Sequence, residues 1–444
     1  MSKLKIQGGK RLQGEVKVQG SKNEALQIIS ATLLTDQECV IHNVPDIVDV
    51  NNLLNILILA GAKVNKIETN SLSIICKDID SQFFLSEKWK EEAGKLRGSI
   101  TLLGPALARF GAVAIPTFGG DKIGKRPIDT HINGFVDLGY VYKDGILSGK
   151  SITTHKKILL EEASVTGTAN LIMVSAFSEI EIEIYNAACE PYIEQLCKML
   201  NTMGMHIEGA GTNRLKINNK STNLQILAET DLNKSLVLTG ITHTILSDFI
   251  EVASFIGLAA VTDSDIWIRG CGVEHLGMTL LPFKKLGVNF EIVGDDIHVY
   301  NNKEYIVVTY SNGEPLTIYS EPWPKVSPDI LSILLVVAIQ SHGTVLIHEK
   351  MYESRLFFTD KLIGMGAQIV LCDPHRAIVV GLNRNKKLTA RKMDSPDIRA
   401  GMALVIAALA AEGESIIDNA EQIDRGYEKL VERLALLGAQ IERI

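Results

Sequence analysis

One hydrophobic–polar phrase recurs along the chain. An apolar, strand-like run leads through a polar link into an amphipathic helical stretch, the helix stops at a glycine, and a second strand-like run follows. The clearest copies are IHNVPDIVDVNNLLNILILAGAKV, IYNAACEPYIEQLCKMLNTMGMHIE, IRGCGVEHLGMTLLPFKKLGVNFEI, IHEKMYESRLFFTDKLIGMGAQIV and IDNAEQIDRGYEKLVERLALLGAQIERI, with a weaker one in THINGFVDLGYVYKDGIL. The helix-ending residues are Gly61, Gly139, Gly204, Gly287, Gly366 and Gly438. Glycine suits the left-handed backbone that caps a helix. The spacing between them is far wider than a solenoid repeat and leaves room for two helices and about four short strands per unit.

A second kind of helix lies between the marked ones: SKNEALQIISATLL, SITLLGPALARFG, GTANLIMVSAF, EVASFIGLAAV, PDILSILLVVAI and DIRAGMALVIAALAAEG. These are apolar on nearly all sides, which predicts burial, whereas the glycine-ended helices are amphipathic and predicted to lie outside them. Periodicity by itself gives α/β or α+β. Six inner helices suggest two domains of three units each, helices inside and sheets outside. A chain of 444 residues exceeds one ordinary core, in keeping with that division.

Composition narrows the class. Hydrophobic residues make up 46% and charged residues 22%, the balance of a globular protein. No apolar run approaches the length of a membrane span, and the basic N-terminus has no apolar signal core. The six cysteines contain no CxxC pair, so neither a zinc site nor a disulfide framework is expected. These features predict a cytoplasmic protein that does not enter membranes. A net charge of −7 argues against nucleic acid as a partner.

The first turns of the inner helices carry the chemistry. They hold Lys22 and Asn23, Arg97, Ser164 and Thr166, Asp248 and Glu251, Asp329, and Asp397 with Arg399. Acids there are ordinarily caps. A cation at a helix N-terminus opposes the dipole unless an anion offsets it. Lys22, Arg97 and Arg399 therefore suggest a strongly anionic small molecule, to which Arg126, Arg355 and Arg425 could add paired hydrogen bonds. One further stretch, FGGDKIGKRPID (118–129), sets an acid on a Gly-Gly turn among cations.

Taken together, SKNEAL, LRGSITLLGPALARFG, GGDKIGKRPIDTHINGF, SVTGTANL, NAACEP, PDILS and IDRGYEKL resemble the UDP-N-acetylglucosamine 1-carboxyvinyltransferases, in order and over essentially the whole chain. The resemblance implies two inside-out α/β domains of three βαβαββ-like units. One spans 21–247, with a mobile loop around 117–127; the other comprises 1–20 plus 248–444, with the active site in the cleft between them. It implies transfer of the enolpyruvyl group of phosphoenolpyruvate to the 3′-hydroxyl of UDP-N-acetylglucosamine, the first committed step of bacterial peptidoglycan synthesis, without metal or organic cofactor. Phosphoenolpyruvate is then expected at Lys22, Asn23, Arg126, Arg399 and Arg425. The nucleotide sugar is expected at Asn23, Arg97, Arg126, Pro127, Ile128, Asp129, Ser164, Val165, Thr166, Gly167, Asp329 and Met351, with Asp329 the base for the 3′-hydroxyl. Glu190 and Asp248 match positions near the cleft.

Asp121 occupies the loop position where most of the family carries cysteine, the proton donor to C3. A free thiol, with pKa about 8.5, is protonated at neutral pH, whereas a free aspartate, about 3.9, is not. Asp121 is thus expected to become a competent acid mainly in the closed, substrate-filled cleft, where substrate charge and desolvation raise its pKa. A carboxylate is also a poor nucleophile, which predicts resistance to the epoxide antibiotic fosfomycin. Two further departures are Phe249, where many relatives have arginine, and Thr166, where they have glycine. The alternatives are the shikimate-pathway enolpyruvyl transferase, against which Asn23, the GGDKIGKRPID loop and SVTGTANL stand, and a catalytically silent ligand-binding homologue.

Overall fold

All six helix-ending glycines have left-handed backbone, with φ of +112° at Gly61, +100° at Gly139, +118° at Gly204, +84° at Gly287, +101° at Gly366 and +92° at Gly438. At Gly61 space adds a second reason, since a Cβ there would fall 2.4 Å from the carbonyl oxygen of Asp78. The computed structural model describes residues 2–120, 123–149, 156–178, 180–219, 238–300 and 305–444. Two compact units divide the chain. Unit 1 comprises Met1–Gln19, Asp121–Lys125 and Ser247–Ile444; unit 2 comprises Gly20–Gly120 and Arg126–Leu246.

Unit 1 is three four-stranded sheets about three inner helices, Phe249–Val261, Pro328–Gln340 and Ile398–Ala410, which pack on one another. Every residue of Phe249–Val261 is buried, as its all-round apolar sequence predicts. At Gly257 a Cβ would lie 2.4 Å from Ile333 Cγ2, so glycine is what lets these two helices approach closely. Each sheet contains one parallel and two antiparallel pairings. In one of them Leu4–Gln7 runs antiparallel to both Glu414–Asp418 and Gln440–Arg443, so that chain start and chain end share a sheet. In another, Gln13–Lys17 runs parallel to Asp265–Arg269.

A buried ion pair fastens this arrangement. Glu251, fully buried in the first turn of Phe249–Val261, accepts the Gln19 N–H at 2.7 Å and both Nη atoms of Arg433 at 2.5 and 3.0 Å. Arg433, on the helix Leu430–Leu436, also donates to the Lys17 carbonyl.

Unit 2 has two four-stranded sheets and one three-stranded sheet among its described residues. Ile241–Thr244 joins Glu38–His42 in parallel, and the three-stranded sheet runs Ala112–Ala114, Ile146–Ser148, Val141–Lys143. Its inner helices are Lys22–Ala31, Leu103–Phe110 and Val165–Val174. The second departs from the continuous helix the sequence suggests, because Arg97–Leu102 is a 3₁₀ turn and the α-helix begins only at Leu103. Two hydroxyls explain it. Ser99 Oγ donates to the Leu96 carbonyl at 2.6 Å and Thr101 Oγ1 to the Gly98 carbonyl at 2.7 Å, i to i−3 bonds that accompany the tighter turn. Asn170 then bridges the change of pitch, accepting Gly104 N–H at 2.7 Å and donating to the Ile100 carbonyl at 2.9 Å. Among the described residues no helix is long and apolar enough to cross a membrane.

Candidate active site

Three charged groups meet at the helix starts of unit 1. Ser327 caps Pro328–Gln340 and Pro328 occupies its first position, which places Asp329 in the first turn. Asp397 caps Ile398–Ala410 by accepting the Arg399 and Ala400 N–H groups at 2.7 and 2.8 Å, which places Arg399 in that first turn. Arg355 donates Nη2 to Asp329 Oδ1 at 2.9 Å, and Arg399 Nη2 stands 3.8 Å from Asp329 Oδ2. Both arginines are buried, yet Arg355 Nε and Nη1 and Arg399 Nη1 have no hydrogen-bond partner. A buried donor left unmade is costly, on the order of 1–3 kcal/mol, and a ligand anion would satisfy it.

The electrostatics of these arginines follow from competing causes. Burial would lower the pKa of Arg355, but Asp329, Asp397 and Glu349 together outweigh it and hold the cation above its ordinary value. Arg399 is raised in the same way: burial pulls it down, while Asp329, Tyr427 and Asp248 pull it up. Its guanidinium lies 5.7 Å from the Tyr427 ring centre. The Tyr427 hydroxyl meets Ser254 Oγ at 2.8 Å, and burial pushes its pKa up to about 12. Asp248 is buried and caps Phe249–Val261 through Ile250 N–H at 2.9 Å.

Arg425 ends the 3₁₀ turn Ala420–Arg425 and donates to Gln422 Oε1 at 3.0 Å. The following Gly426 passes close to the Arg399 helix: a Cβ there would lie 2.5 Å from Ile398 Cγ2 and 3.4 Å from Arg399 Nη1. Met351 is exposed, and its N–H serves Glu349 Oε1 at 2.8 Å. Ile123–Lys125 also belongs to unit 1, with Ser354 N–H bonded to the Ile123 carbonyl at 3.1 Å and Lys125 N–H to Glu353 Oε1 at 3.4 Å. Asp121 lies outside the described residues.

Unit 2 holds the other predicted residues. Lys22 opens its helix behind the Ser21 cap, is buried, and contacts Asp49 Oδ2 at 2.5 Å; Asn23 follows, half-buried. Arg97 donates Nη2 to the Arg126 carbonyl at 2.7 Å. Gly120, at φ +120°, lies so close that a Cβ would stand 2.5 Å from Arg126 Nη2 and 2.7 Å from Arg97 Cβ. Pro127 and Asp129 are exposed and Ile128 half-buried where the helix Asp129–Asp137 begins. Ser164 Oγ accepts Gly167 N–H at 3.2 Å, so Val165 and Thr166 occupy the first turn of their helix. Glu190 is buried at the start of Pro191–Met203.

A recess of about 710 Å³ in unit 2, lined by Lys88, Lys90, Ile115 and Pro116 among others, includes none of these residues. Its lysines are already answered by Glu91 and Glu87 at 3.2 and 2.7 Å.

The family pattern described as EPSP synthase (3-phosphoshikimate 1-carboxyvinyltransferase) matches residues 6–434. The chain belongs to this enolpyruvyl transferase family. Within it, UDP-N-acetylglucosamine 1-carboxyvinyltransferase of Porphyromonas gingivalis is 48% identical over the full length of both chains, and that of Bacteroides thetaiotaomicron 47% over the same extent. The spirochaete relative from Treponema denticola, of the same name, is 42% identical over 98% of each chain. Among solved structures, the enolpyruvyl transferase NikO from Streptomyces tendae superposes with a TM-score of 0.83 at 21% identity, covering 100% of this chain and 99% of its own. EPSP synthase from Acinetobacter baumannii gives 0.70 at 16%, covering 100% of both. These likenesses establish the two-domain enolpyruvyl transferase fold.

Four residues beside the predicted ones were not assigned a role from sequence. From sequence Arg355 is only a further cation, and Glu349 and Tyr427 carry no role of their own. The fourth, His131, is buried with Nε2 2.9 Å from Thr166 Oγ1. Burial, and then the nearby Arg97, push its pKa down to about 3, so it is a neutral partner of the Ser164–Gly167 turn. The sequence signal available was its place two residues after Asp129, one helical turn from the arginine loop.

Proposed function

We infer that the protein transfers the enolpyruvyl group of phosphoenolpyruvate to UDP-N-acetylglucosamine with release of phosphate. The observation that carries this reading is full-length identity of 41–48% to proteins of that name, set against 16% to EPSP synthase structures of the same fold. The shikimate-pathway alternative is not favoured.

Geometry within unit 1 supports the roles of Arg399 and Asp329, and the other roles are part of the same reading. Arg399 and Arg425 bind the phosphate and carboxylate of phosphoenolpyruvate, with Lys22 and Arg126 from unit 2. The buried, partly unsatisfied guanidinium of Arg399 supports this, because an anion there completes its hydrogen bonding. Asp329 takes the proton of the 3′-hydroxyl as oxygen attacks C2; two flanking arginines favour its ionised, proton-accepting form. Asp121 donates a proton to C3, and the tetrahedral adduct then loses phosphate. Asn23 binds the sugar, and Arg126-Pro127-Ile128-Asp129 with Met351 hold uracil and ribose. Arg97 and Ser164-Val165-Thr166-Gly167 hold the diphosphate, for which a helix start is suited.

The expected division into 21–247 and 1–20 plus 248–444, with a loop around 117–127, is part of this reading. Pairing of strands Leu4–Gln7 and Gln13–Lys17 with strands of the C-terminal half supports it. The test is phosphate release from phosphoenolpyruvate, assayed with UDP-N-acetylglucosamine and separately with shikimate 3-phosphate. Release with the nucleotide sugar alone is expected. Release with shikimate 3-phosphate alone refutes the acceptor, and tight binding of both substrates without turnover favours a silent homologue.

A further inference from the structure

Behind Arg355 lies a carboxylate to which the reaction gives no part. Glu349 follows the strand Thr344–His348 and is fully buried. Its Oε1 is saturated, accepting Ser320 Oγ–H at 2.7 Å, Met351 N–H at 2.8 Å and Tyr352 N–H at 3.2 Å. Its Oε2 accepts no hydrogen bond and faces Arg355 Nε at 3.8 Å. An ionised oxygen in that position is costly unless a cation compensates it, and Arg355 supplies the cation. The same guanidinium reaches Asp329 from its other side, Nη2 to Oδ1 at 2.9 Å.

We propose that Glu349 is a positioning residue for Asp329, acting through Arg355. Three donors on Oε1 fix the Glu349 carboxylate, which aims Oε2 at Nε and sets the plane of the guanidinium. That plane sets where Asp329 Oδ1 rests. Glu349 also takes a share of the positive charge, so Arg355 draws less on Asp329 and leaves it basic enough to accept the hydroxyl proton. That proton moves from the sugar oxygen to Asp329 as the bond to C2 forms, and Glu349 neither gains nor loses one. The proposal rests on the assignment of Asp329 as base.

Asp329 faces Arg355 and Arg399; Arg355 faces Asp329, Asp397, Glu349 and the Tyr352 ring; Arg399 adds Tyr427 and Asp248. His375 Nδ1 lies 2.7 Å from the Glu349 backbone carbonyl. Burial, against the pull of Arg355 and the hydrogen bonds, leaves the Glu349 pKa above the ordinary carboxylate range. Arg355 opposes that rise, and the isosteric Glu349→Gln removes the carboxylate charge that this cation stabilises.

The experiment is the pH dependence of kcat and kcat/KM for wild type, Glu349→Gln and Glu349→Asp, with phosphoenolpyruvate and UDP-N-acetylglucosamine, alongside thermal melting. Glu349→Gln is expected to lower kcat about tenfold, a partial loss of the 10²–10⁴ that a general base contributes. KM should change less than about threefold, and the acidic limb of the kcat profile should move to lower pH. Glu349→Asp restores part of kcat and of the limb. A Gln variant that titrates like wild type, or whose loss falls on KM with the limb unmoved, overturns the role. Should the Gln variant not fold, Glu349→Asp decides: a displaced limb supports the proposal and an unmoved limb overturns it. Failure of wild type to turn over overturns the functional reading itself, which is distinct from an active wild type beside an unshifted variant.

Discussion

Replacing Arg433 with methionine removes the cation that answers Glu251 while keeping most of the apolar stem. Glu251 has no exposed surface and receives both Nη atoms of Arg433 together with the Gln19 N–H. Breaking one side of such a pair leaves a buried carboxylate uncompensated, a loss of about 3–5 kcal/mol. For a unit of this size that corresponds to a fall of about 6–20 °C in Tm. The pH dependence gives the sharper signature. Burial already raises the pKa of Glu251 above its ordinary value, against the opposing pull of Arg433, and without Arg433 it rises further. A group whose folded pKa is raised contributes stability below the unfolded pKa and loses it as pH climbs through the folded value. The variant should therefore be less impaired at pH 5 than at pH 8. Hydrogen exchange of the Phe249–Val261 amides, with Tm at both pH values, measures this. Adding Glu251→Gln should recover part of the loss. Equal destabilisation at both pH values, or a loss under about 1 kcal/mol, would refute the reasoning.

Further outcomes follow from single contacts. Gly426→Ala places a Cβ 2.5 Å from Ile398 Cγ2, so the Arg425 turn must shift; a loss of about 1–3 kcal/mol is expected, with KM for phosphoenolpyruvate raised in steady-state assays. His131 has its pKa depressed to about 3 by burial, so it contributes stability above pH 6.5 that is lost as pH falls. Between pH 6 and pH 4 wild type should lose stability more steeply than His131→Asn by about 1.4 kcal/mol per pH unit, read from urea titrations. Native protein incubated with fosfomycin should keep its mass, whereas Asp121→Cys should gain a covalent adduct; rapid adduct formation on the native chain would sink the carboxylate argument.

Sequence pattern was most informative where local chemistry decides the backbone. The six capping glycines, the burial of EVASFIGLAAV and PDILSILLVVAI, and the capping of Asp248 and Asp397 all depend on neighbours within a turn or two. The 3₁₀ start at Arg97 was hidden because it depends on which way the Ser99 and Thr101 hydroxyls turn. Candidate cations were legible as violations of the helix dipole, but their partners were not. Nothing in YESRLFF shows that Arg355 reaches Asp329, and nothing in IHEK shows that Glu349 stands behind it. Such pairings arise from tertiary packing, as does the exchange of strands that brings Leu4–Gln7 to the C-terminal sheet.

The most direct test is a turnover in D₂O with phosphoenolpyruvate and UDP-N-acetylglucosamine, the product analysed by mass spectrometry and NMR. Protonation of C3 followed by loss of a proton predicts a nucleotide-sugar enol ether with deuterium in its vinyl methylene and one phosphate released per adduct. Phosphate accompanied by pyruvate and unchanged nucleotide sugar, or an adduct with no deuterium at C3, would contradict addition followed by elimination at this site.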